Sequence, residues 1–573
     1  MFNQCCTRAN EASALAASSQ KRAEAFAHLD EAKLGWFHLR SVLVAGAGFF
    51  TDAYDIFVIS QALPMIYQVY YSYLITGSYP VGLVNNTEPI PKTAQNTKVD
   101  FVGKFPNGPH VDAWLKASTN WGNLVGQIGF GVLGDKLGRK KMYGVELLIM
   151  IVCTIGSAFS ASAINGFSII VILSLWRFIL GIGIGGDYPM SAVITSEFAN
   201  VRYRGMLLSA VFAMQGIGIL VGGIVYVCTL AGLKSKIQND YTVLDYVWRI
   251  AVGFGVIPGL CAVYFRLTIP ETPRFTVDVI GDTDKAVSDV EQVLAMNSVA
   301  NVASNWGNER VATAKVAVKS GSFQDFCAYF GQWRNGKNLL GAAYCWFALD
   351  VAWYGLSLNQ STILNLINFN GPAKIHFNGT NVSPPVDIGD LFYQNAVGNI
   401  IIAVAGTVPG YWFTVALIEK MGRKPIQYMG FFIITICLAI LAGDWNNIST
   451  QQGSFMAVFT IAQFFFQFGP NTTTFVIPGE VFPTRFRSTA HGISAAAGKC
   501  GAILGIQAVG PYFSSNTVTV LSVFCIIMAT GGLATMLLPE TKGKTLEELS
   551  NEDDVILDET KALNETAEWQ VAA

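Results

Sequence analysis

The sequence predicts an all-α membrane protein in which twelve transmembrane helices form two six-helix pseudo-repeats. Three observations predict it. Of the 573 residues, 52% are hydrophobic and only 13% are charged, whereas soluble chains average about a quarter charged. Twelve mostly apolar stretches are long enough to cross about 30 Å of hydrocarbon. Short motifs in the first half also recur, in the same order, in the second.

Residues 1–40 carry Lys21, Arg22, Glu24, Asp30, Glu31 and Lys33 without an apolar core before a small-residue cleavage site. A cleaved signal peptide is therefore not expected, and the first span is read as the targeting signal of a cytoplasmic N-terminal segment. The spans lie near 41–70, 113–133, 142–164, 168–192, 205–229 and 246–267, then 339–368, 388–418, 426–443, 454–479, 488–511 and 516–537. The fourth and tenth contain Pro189 and Pro478 and are expected to be interrupted there. Residues 41–267 and 339–537 make the two bundles, 268–338 a cytoplasmic linker and 538–573 a cytoplasmic tail.

Charge sets the orientation. The short loops GDKLGRKK (134–141), ANVRYRG (199–205) and EKMGRKP (419–425) are rich in Lys and Arg, which places them, and with an even span count both termini, in the cytoplasm. The alternate loops hold sequons at Asn85, Asn378, Asn381 and Asn447, a weak sign of glycosylation because Asn564 in the tail is also one. A net charge of −2 gives no basic surplus for nucleic acid. The ten cysteines fall mainly in apolar segments and suggest no disulfide framework. No metal site or cofactor is expected.

GDKLGRK after span two matches IEKMGRK after span eight, SEFANVRYRG after span four matches GEVFPTRFRS after span ten, and IPETPRF after span six matches LPETKGK after span twelve. Arg139 and Arg423 are 284 residues apart, Glu197 and Glu480 283, Pro270 and Pro539 269. Such a duplicated unit is the layout of a rocking transporter with its site between the halves. The loops, the PET ends and the six-plus-six arrangement resemble the major facilitator superfamily.

A charge at membrane depth is costly, so each one is a functional candidate. The deep ones are Asp52, Asp55, Arg177, Asp187, Asp350 and Lys499, while Glu146, Arg249 and Arg266 lie nearer span ends, within reach of water. Trp346, Asp350 and Tyr354 recur every four residues and share one stripe of a helix. An aromatic packing face with a structurally paired aspartate would give the same pattern. Lys499 is read as the partner of Asp350 or of an anionic cargo, and the roles combine if cargo and carboxylate compete for the ammonium. A protonated Asp350 tolerates an anion that its ionised form repels. Asp52 and Asp55, three apart, are read as proton-relay groups or helix braces. Glu146 reads as a relay acid or as a surface partner of the GRKK loop, and Arg177 as the internal partner of one of the acids. Glu197 with Arg202 and Arg204, and Glu480 with Arg485 and Arg487, look like gate or structural bracing networks at the cytoplasmic face.

TDAYDIF (51–57), GGDYPMSAVITSEF (185–198), WFALDVAWYGLSLN (346–359) and FGPNTTTFVIPGEVFPTRFRSTAHGISAAAGK (468–499) resemble the phosphate:proton symporter family. That resemblance implies an importer of inorganic phosphate in the plasma membrane. It implies that Tyr188, Gln215, Trp346, Asp350, Tyr354, Asn471 and Lys499 contact phosphate, and that Asp52, Asp55, Glu146, Asp187 and Asp350 handle protons; Glu197, Arg204, Glu480 and Arg487 are read as gating residues from their place at the cytoplasmic face. Phosphate presents both acceptor oxygens and hydroxyl donors, which suits one cation, one carboxyl, phenols and amides. The stretch 276–338, the polar run in 71–112 and the tail beyond 550 show no family motif. A carrier of a sugar or organic phosphate, or a signalling receptor derived from a transporter, remain the alternatives. The G-x-G-x-x-G spacing of Gly181, Gly183 and Gly186 would suit a dinucleotide enzyme only after a β-strand. Inside an apolar span, Gly181 and Gly185 read as a helix-packing surface.

Overall fold

The structure, a computed structural model, describes residues 35–76, 108–161, 168–267, 271–280, 282, 285, 288, 321–369 and 388–550. Among these, all regular structure is helical, and twelve long stretches follow one another. They are α1 (Trp36–Thr76), α2 (Gly108–Leu137), α3 (Arg139–Ala158), α4 (Ile169–Phe198), α5 (Arg204–Asn239) and α6 (Leu244–Gly253 and Val256–Leu267). The second set is α7 (Trp333–Ser357), α8 (Ile388–Ile402 and Val408–Met421), α9 (Arg423–Gly443), α10 (Gln452–Phe466 and Thr472–Val481), α11 (Arg487–Ile503) and α12 (Thr517–Ala534). Ten of the stretches are long and apolar enough to cross a membrane. The other two have clear reasons to score lower: α2 carries Asp112, Lys116, Asn120, Asn123 and Gln127, and α10 is broken midway. The sequons at Asn85, Asn378, Asn381 and Asn564 and most of the stretch 276–338 lie outside the described residues.

Two of the proline expectations are corrected. Helix α4 runs unbroken through Pro189, and α10 through Pro478. The break in α10 is earlier, where Phe468 (φ −81°, ψ 54°) and Gly469 (φ −179°, ψ −134°) leave the helical region. Pro470 is the cause, since a proline ring pushes the preceding residue out of the α conformation. Glycine at 469 also admits close contact, because a Cβ there would sit 2.7 Å from the Cα of Gly430 in α9.

The glycines of α4 form a packing surface. A Cβ on Gly181 would meet the carbonyl oxygen of Thr119 at 2.1 Å, and one on Gly185 that of Asn123 at 2.5 Å. From α2, Gly122 and Gly126 return the contact against the carbonyls of Phe178 and Ile182. With no water to reward burial of apolar area, such close backbone approach is what holds membrane helices together. Helix α2 meets the second half the same way, with Gly131 beside Ser488 and Gly492 beside the carbonyl of Gln127 in α11.

Gly122→Ala is expected to lower the thermal unfolding midpoint of purified protein, because its methyl would lie 1.9 Å from the Phe178 carbonyl oxygen and overpacking costs about 1–3 kcal/mol. Gly129→Ala, with nothing within 4 Å, serves as the control and should leave the midpoint in place.

Candidate substrate and proton site

Where α4, α5, α7, α8, α10 and α11 converge, their polar side chains form one connected set. Lys499 donates to Asp350 Oδ2 (3.0 Å) and to the Tyr354 hydroxyl (2.8 Å). Its ammonium also faces the rings of Tyr354 and Tyr188, 4.2 and 5.2 Å from their centroids. Gln215 Nε2 donates to the Tyr188 hydroxyl (2.8 Å), Tyr411 donates to Gln215 Oε1 (2.8 Å), and Asn471 Nδ2 donates to the Tyr411 hydroxyl (3.0 Å). Trp346 closes the set against Tyr188 and His491, with ring centroids 6.3 and 5.5 Å away. Gly498 makes room, since a Cβ there would fall 2.5 Å from the Trp346 ring.

The structure thus brings together all seven residues that the resemblance implied for substrate, and every one is buried. Sequence reasoning missed Tyr411 and Gln467, which extend the set through Asn471. The one signal for Tyr411 was a hydroxyl amid the apolar residues of span eight. Breaking a buried ion pair by removing one partner costs about 3–5 kcal/mol, because the other charge is stranded. Asp350 can therefore leave Lys499 only when another anion takes its place.

A second cluster lies on α1, α3, α4 and α6. Arg266 donates to Glu146 (3.3 Å) and to Asp187, whose other oxygen accepts from Ser191 (2.6 Å), and the guanidinium stacks 4.3 Å over the Tyr143 ring. Asp52 feels the charges of Asp187, Arg266, Asp55 and Glu146, yet neither of its carboxyl oxygens has a hydrogen-bond partner among the described residues. Asp55 accepts from Thr154 (2.7 Å). Gly48 leaves the space for Arg266, whose Nη2 would lie 1.5 Å from a Cβ. Three expectations change here. Arg266 does not reach water but is 1% exposed, and Glu146 is its partner rather than that of the surface loop. Arg177 donates to the backbone carbonyls of Asp55 (2.7 Å) and Ile56 (3.4 Å), not to a carboxylate.

Of the residues read as gates, Glu197 and Arg487 meet across the halves. Glu197 pairs with Arg139 of its own half (3.3 Å) and with Arg487 of the other (3.0 Å), while Glu480 pairs with Arg423 (2.8 Å). Arg487 thus pairs with the opposite glutamate, and Arg204 reaches the carbonyl of Lys544 (3.2 Å). Asp135 at the end of α2 accepts from the backbone N–H groups of Ser488 and Thr489, which open α11. Glu419 at the end of α8 accepts from Met206 N–H, which opens α5. Each acid sits on the positive end of a helix belonging to the other half. Likewise Glu271 accepts from the N–H groups of Arg139 and Lys140, and Glu540 from those of Arg423 and Lys424. At the far end, Lys116 reaches Asn359 (3.0 Å) and Phe57 stacks on Tyr354 (5.8 Å). Between the halves there, Phe57, Trp353, Ser357, Asn399 and Gln463 line a cavity of about 30 Å³, room for about one water.

The chain beyond α12 joins this network through Arg274 and Glu547 (3.0 Å). Burial opposes ionisation of Glu547, but Arg274 outweighs it and holds the carboxyl down to about 2, from an ordinary 4.5. A depressed acid stabilises the fold fully above its ordinary value, and that contribution fades as pH falls through about 2.

Glu197→Gln is expected to loosen this face by leaving Arg139 and Arg487 without their shared charge. A cysteine placed at buried Ser488 should then react several-fold faster with a membrane-impermeant maleimide applied to that face. Equal rates in the two backgrounds would remove Glu197 from the latch.

Residues 41–552 match the profile of the family of sugar (and other) transporters. The chain is 40% identical over 560 residues to the repressible high-affinity phosphate permease of Neurospora crassa, covering 94% of this chain and 90% of that one. It is 39% identical over 560 residues to the inorganic phosphate transporter PHO84 of Saccharomyces cerevisiae, covering 93% and 87%. It is also 40% identical over 557 residues to the low affinity inorganic phosphate transporter 3 of Petunia hybrida, covering 92% and 94%. Among solved structures, the proton:xylose symporter XylE of the major facilitator superfamily superposes with a TM-score of 0.65 over 90% of this chain and 98% of that one. At 19% identity that likeness shows the fold alone.

Proposed function

The chain belongs to the family of sugar (and other) transporters, among its inorganic phosphate carriers, and we propose that it imports inorganic phosphate together with protons by alternating access. The observation that carries this reading is Lys499, an ammonium enclosed between the halves and held by a single carboxylate, with phenols and amides around it. The ion and Asp350 compete for that ammonium. With a proton on Asp350, the neutral carboxyl releases Lys499 and no longer repels the anion, and it can exchange hydrogen bonds with a phosphate hydroxyl. Tyr188, Gln215, Trp346, Tyr354 and Asn471 then supply the remaining contacts, while Tyr411 holds Gln215 and Asn471 in register.

Asp52, Asp55, Glu146 and Asp187 are the groups we assign to proton handling. Asp52 is enclosed, and among the described residues no donor contacts its carboxyl oxygens. Arg266, fixed between Asp187 and Glu146, is placed to rebalance as one of them gains or loses a proton. Glu197, Arg204, Glu480 and Arg487 close the face with the basic loops, which the positive-inside bias assigns to the cytoplasm. On this reading both termini are cytoplasmic and the protein resides in the plasma membrane.

Labelled phosphate uptake into cells without their own system is the test. Uptake should be faster at acidic than at neutral external pH and should fall when a protonophore collapses the gradient. Insensitivity to the protonophore would remove the coupling, and no uptake would remove the substrate. Asp350→Asn and Lys499→Ala should each abolish accumulation, and a wild-type rate in either would strike that residue from the mechanism.

A further inference from the structure

Among the described residues only two lysines are buried: Lys499, and Lys116 in α2 at 6% exposure. Lys116 is held by Asp112 (2.6 Å), one turn away, and donates to Asn359 of the other half (3.0 Å). From it, Asn120, Asn123 and Gln127 follow at steps of four, three and four residues, which keeps them on one stripe of the helix within about 60°. All three are 0% exposed. Both polar atoms of each side chain, six in all, lack a hydrogen-bond partner among the described residues.

That is an unusual expenditure. A polar group enclosed without a partner costs about 1–3 kcal/mol by the evidence of core substitutions, and α2 carries three such amides in succession. These side chains do not brace the bundle, since among the described residues they bond to nothing. Apolar residues of the same size would stabilise the closed state better.

Their placement says what they wait for. Helix α2 lies against α11 with Gly131 beside Ser488 and Gln127 beside Gly492, so the two run in opposite directions. Lys499 is seven residues beyond Gly492, which puts it level with Asn120. Lys116 therefore stands one turn outside the level of Lys499, and Asn123 and Gln127 stand one and two turns inside it. Two turns beyond Gln127 and off the stripe, Asp135 belongs to the latch on the basic-loop face. The stripe therefore runs past the level of the buried ammonium on both sides, with a cation at its outer end that Asp112 holds and only neutral amides beyond.

We propose that Asn120, Asn123 and Gln127 form a hydrogen-bonding track along which phosphate moves past Lys499, with Lys116 as its outer receiving group. Each amide offers a donor to a phosphate oxygen and an acceptor to a phosphate hydroxyl, so the track suits a protonated oxyanion. Successive rungs rise about 4.5–6 Å along the helix, short enough for an ion to bond the next before leaving the last. The amides bind the ion only in passing and lower the barrier between sites. Lys116 raises the local concentration of the anion, as Asp112 releases it in exchange.

This inference rests on phosphate transport by the chain, so wild-type influx of phosphate into proteoliposomes is measured first, and its absence would overturn the proposed function rather than the track alone. With wild-type influx in hand, Asn120→Leu and Asn123→Leu are compared for equilibrium binding of labelled phosphate, turnover of influx and thermal unfolding. The track predicts a turnover lowered about tenfold per rung, the worth of one transition-state hydrogen bond. It also predicts binding within a few-fold of wild type, and an unfolding midpoint equal to or above wild type, because each leucine removes unbonded buried amide atoms. Asn123→Gln, which keeps an amide, should recover most of the turnover. Lys116→Gln should raise KM and weaken its dependence on ionic strength while leaving kcat nearly unchanged. Wild-type turnover in the Asn120→Leu/Asn123→Leu double variant would overturn the track. So would a lost turnover accompanied by a lowered midpoint, which would mark the amides as structural.

Discussion

One buried ammonium organises this protein. Lys499 sits inside a bundle where a lone charge is untenable, so the surrounding helices have to answer it at every stage of the cycle. In the closed structure Asp350 and Tyr354 do so. An anion that replaces Asp350 enters while one face is open, and the halves can then shut around a site whose charge is again answered. The dependence of transport on substrate follows from that single constraint. An empty site keeps its internal ion pair, a loaded site keeps an external one, and only the passage between them exposes the cation.

The latch on the basic-loop face solves a different problem with a repeated device. Two halves that rock must come apart without stranding charges. Asp135 and Glu419 sit at corresponding positions of the repeat, and each caps the start of a helix in the opposite half. When the halves separate, water can satisfy both the carboxylate and the freed N–H groups. Glu271 and Glu540, in contrast, cap the starts of α3 and α9 within their own halves and hold each half rigid as it moves. The left-handed glycines Gly138 (φ 102°) and Gly422 (φ 95°) admit those carboxylates at the turn, where a Cβ would lie 2.7 and 2.8 Å from the Glu271 and Glu540 oxygens.

Much of this was legible in the sequence, for identifiable reasons. Hydropathy and length expose a span because the bilayer fixes how many apolar residues must run together, and the repeat of GDKLGRK in IEKMGRK exposed the duplication. The stripe of Trp346, Asp350 and Tyr354 follows from helical periodicity alone. Helical periodicity says which residues share a face, but not which helix that face meets. Hence Arg487 was matched with Glu480 in its own motif, although the structure sets it against Glu197, and Arg177 was given a carboxylate when it holds carbonyls. Arg266 was placed at a span end by counting residues, whereas the notch at Gly48 admits its guanidinium inside the bundle. Pro189 and Pro478 looked like breaks, yet the break falls where Pro470 follows a glycine free to leave the helix. Tyr411 and the amides of α2 escaped notice because neutral polar residues carry little signal until their neighbours are known.

The central claim is that phosphate and Asp350 exchange a proton-dependent hold on Lys499. Calorimetric titration of the purified protein with phosphate, at an acidic pH where the free ion is already the monoanion and in buffers of differing ionisation enthalpy, measures the protons taken up on binding. The account predicts uptake of about one proton per phosphate bound, drawn onto the carboxyl that gives up the ammonium. Binding with no net proton uptake would contradict it.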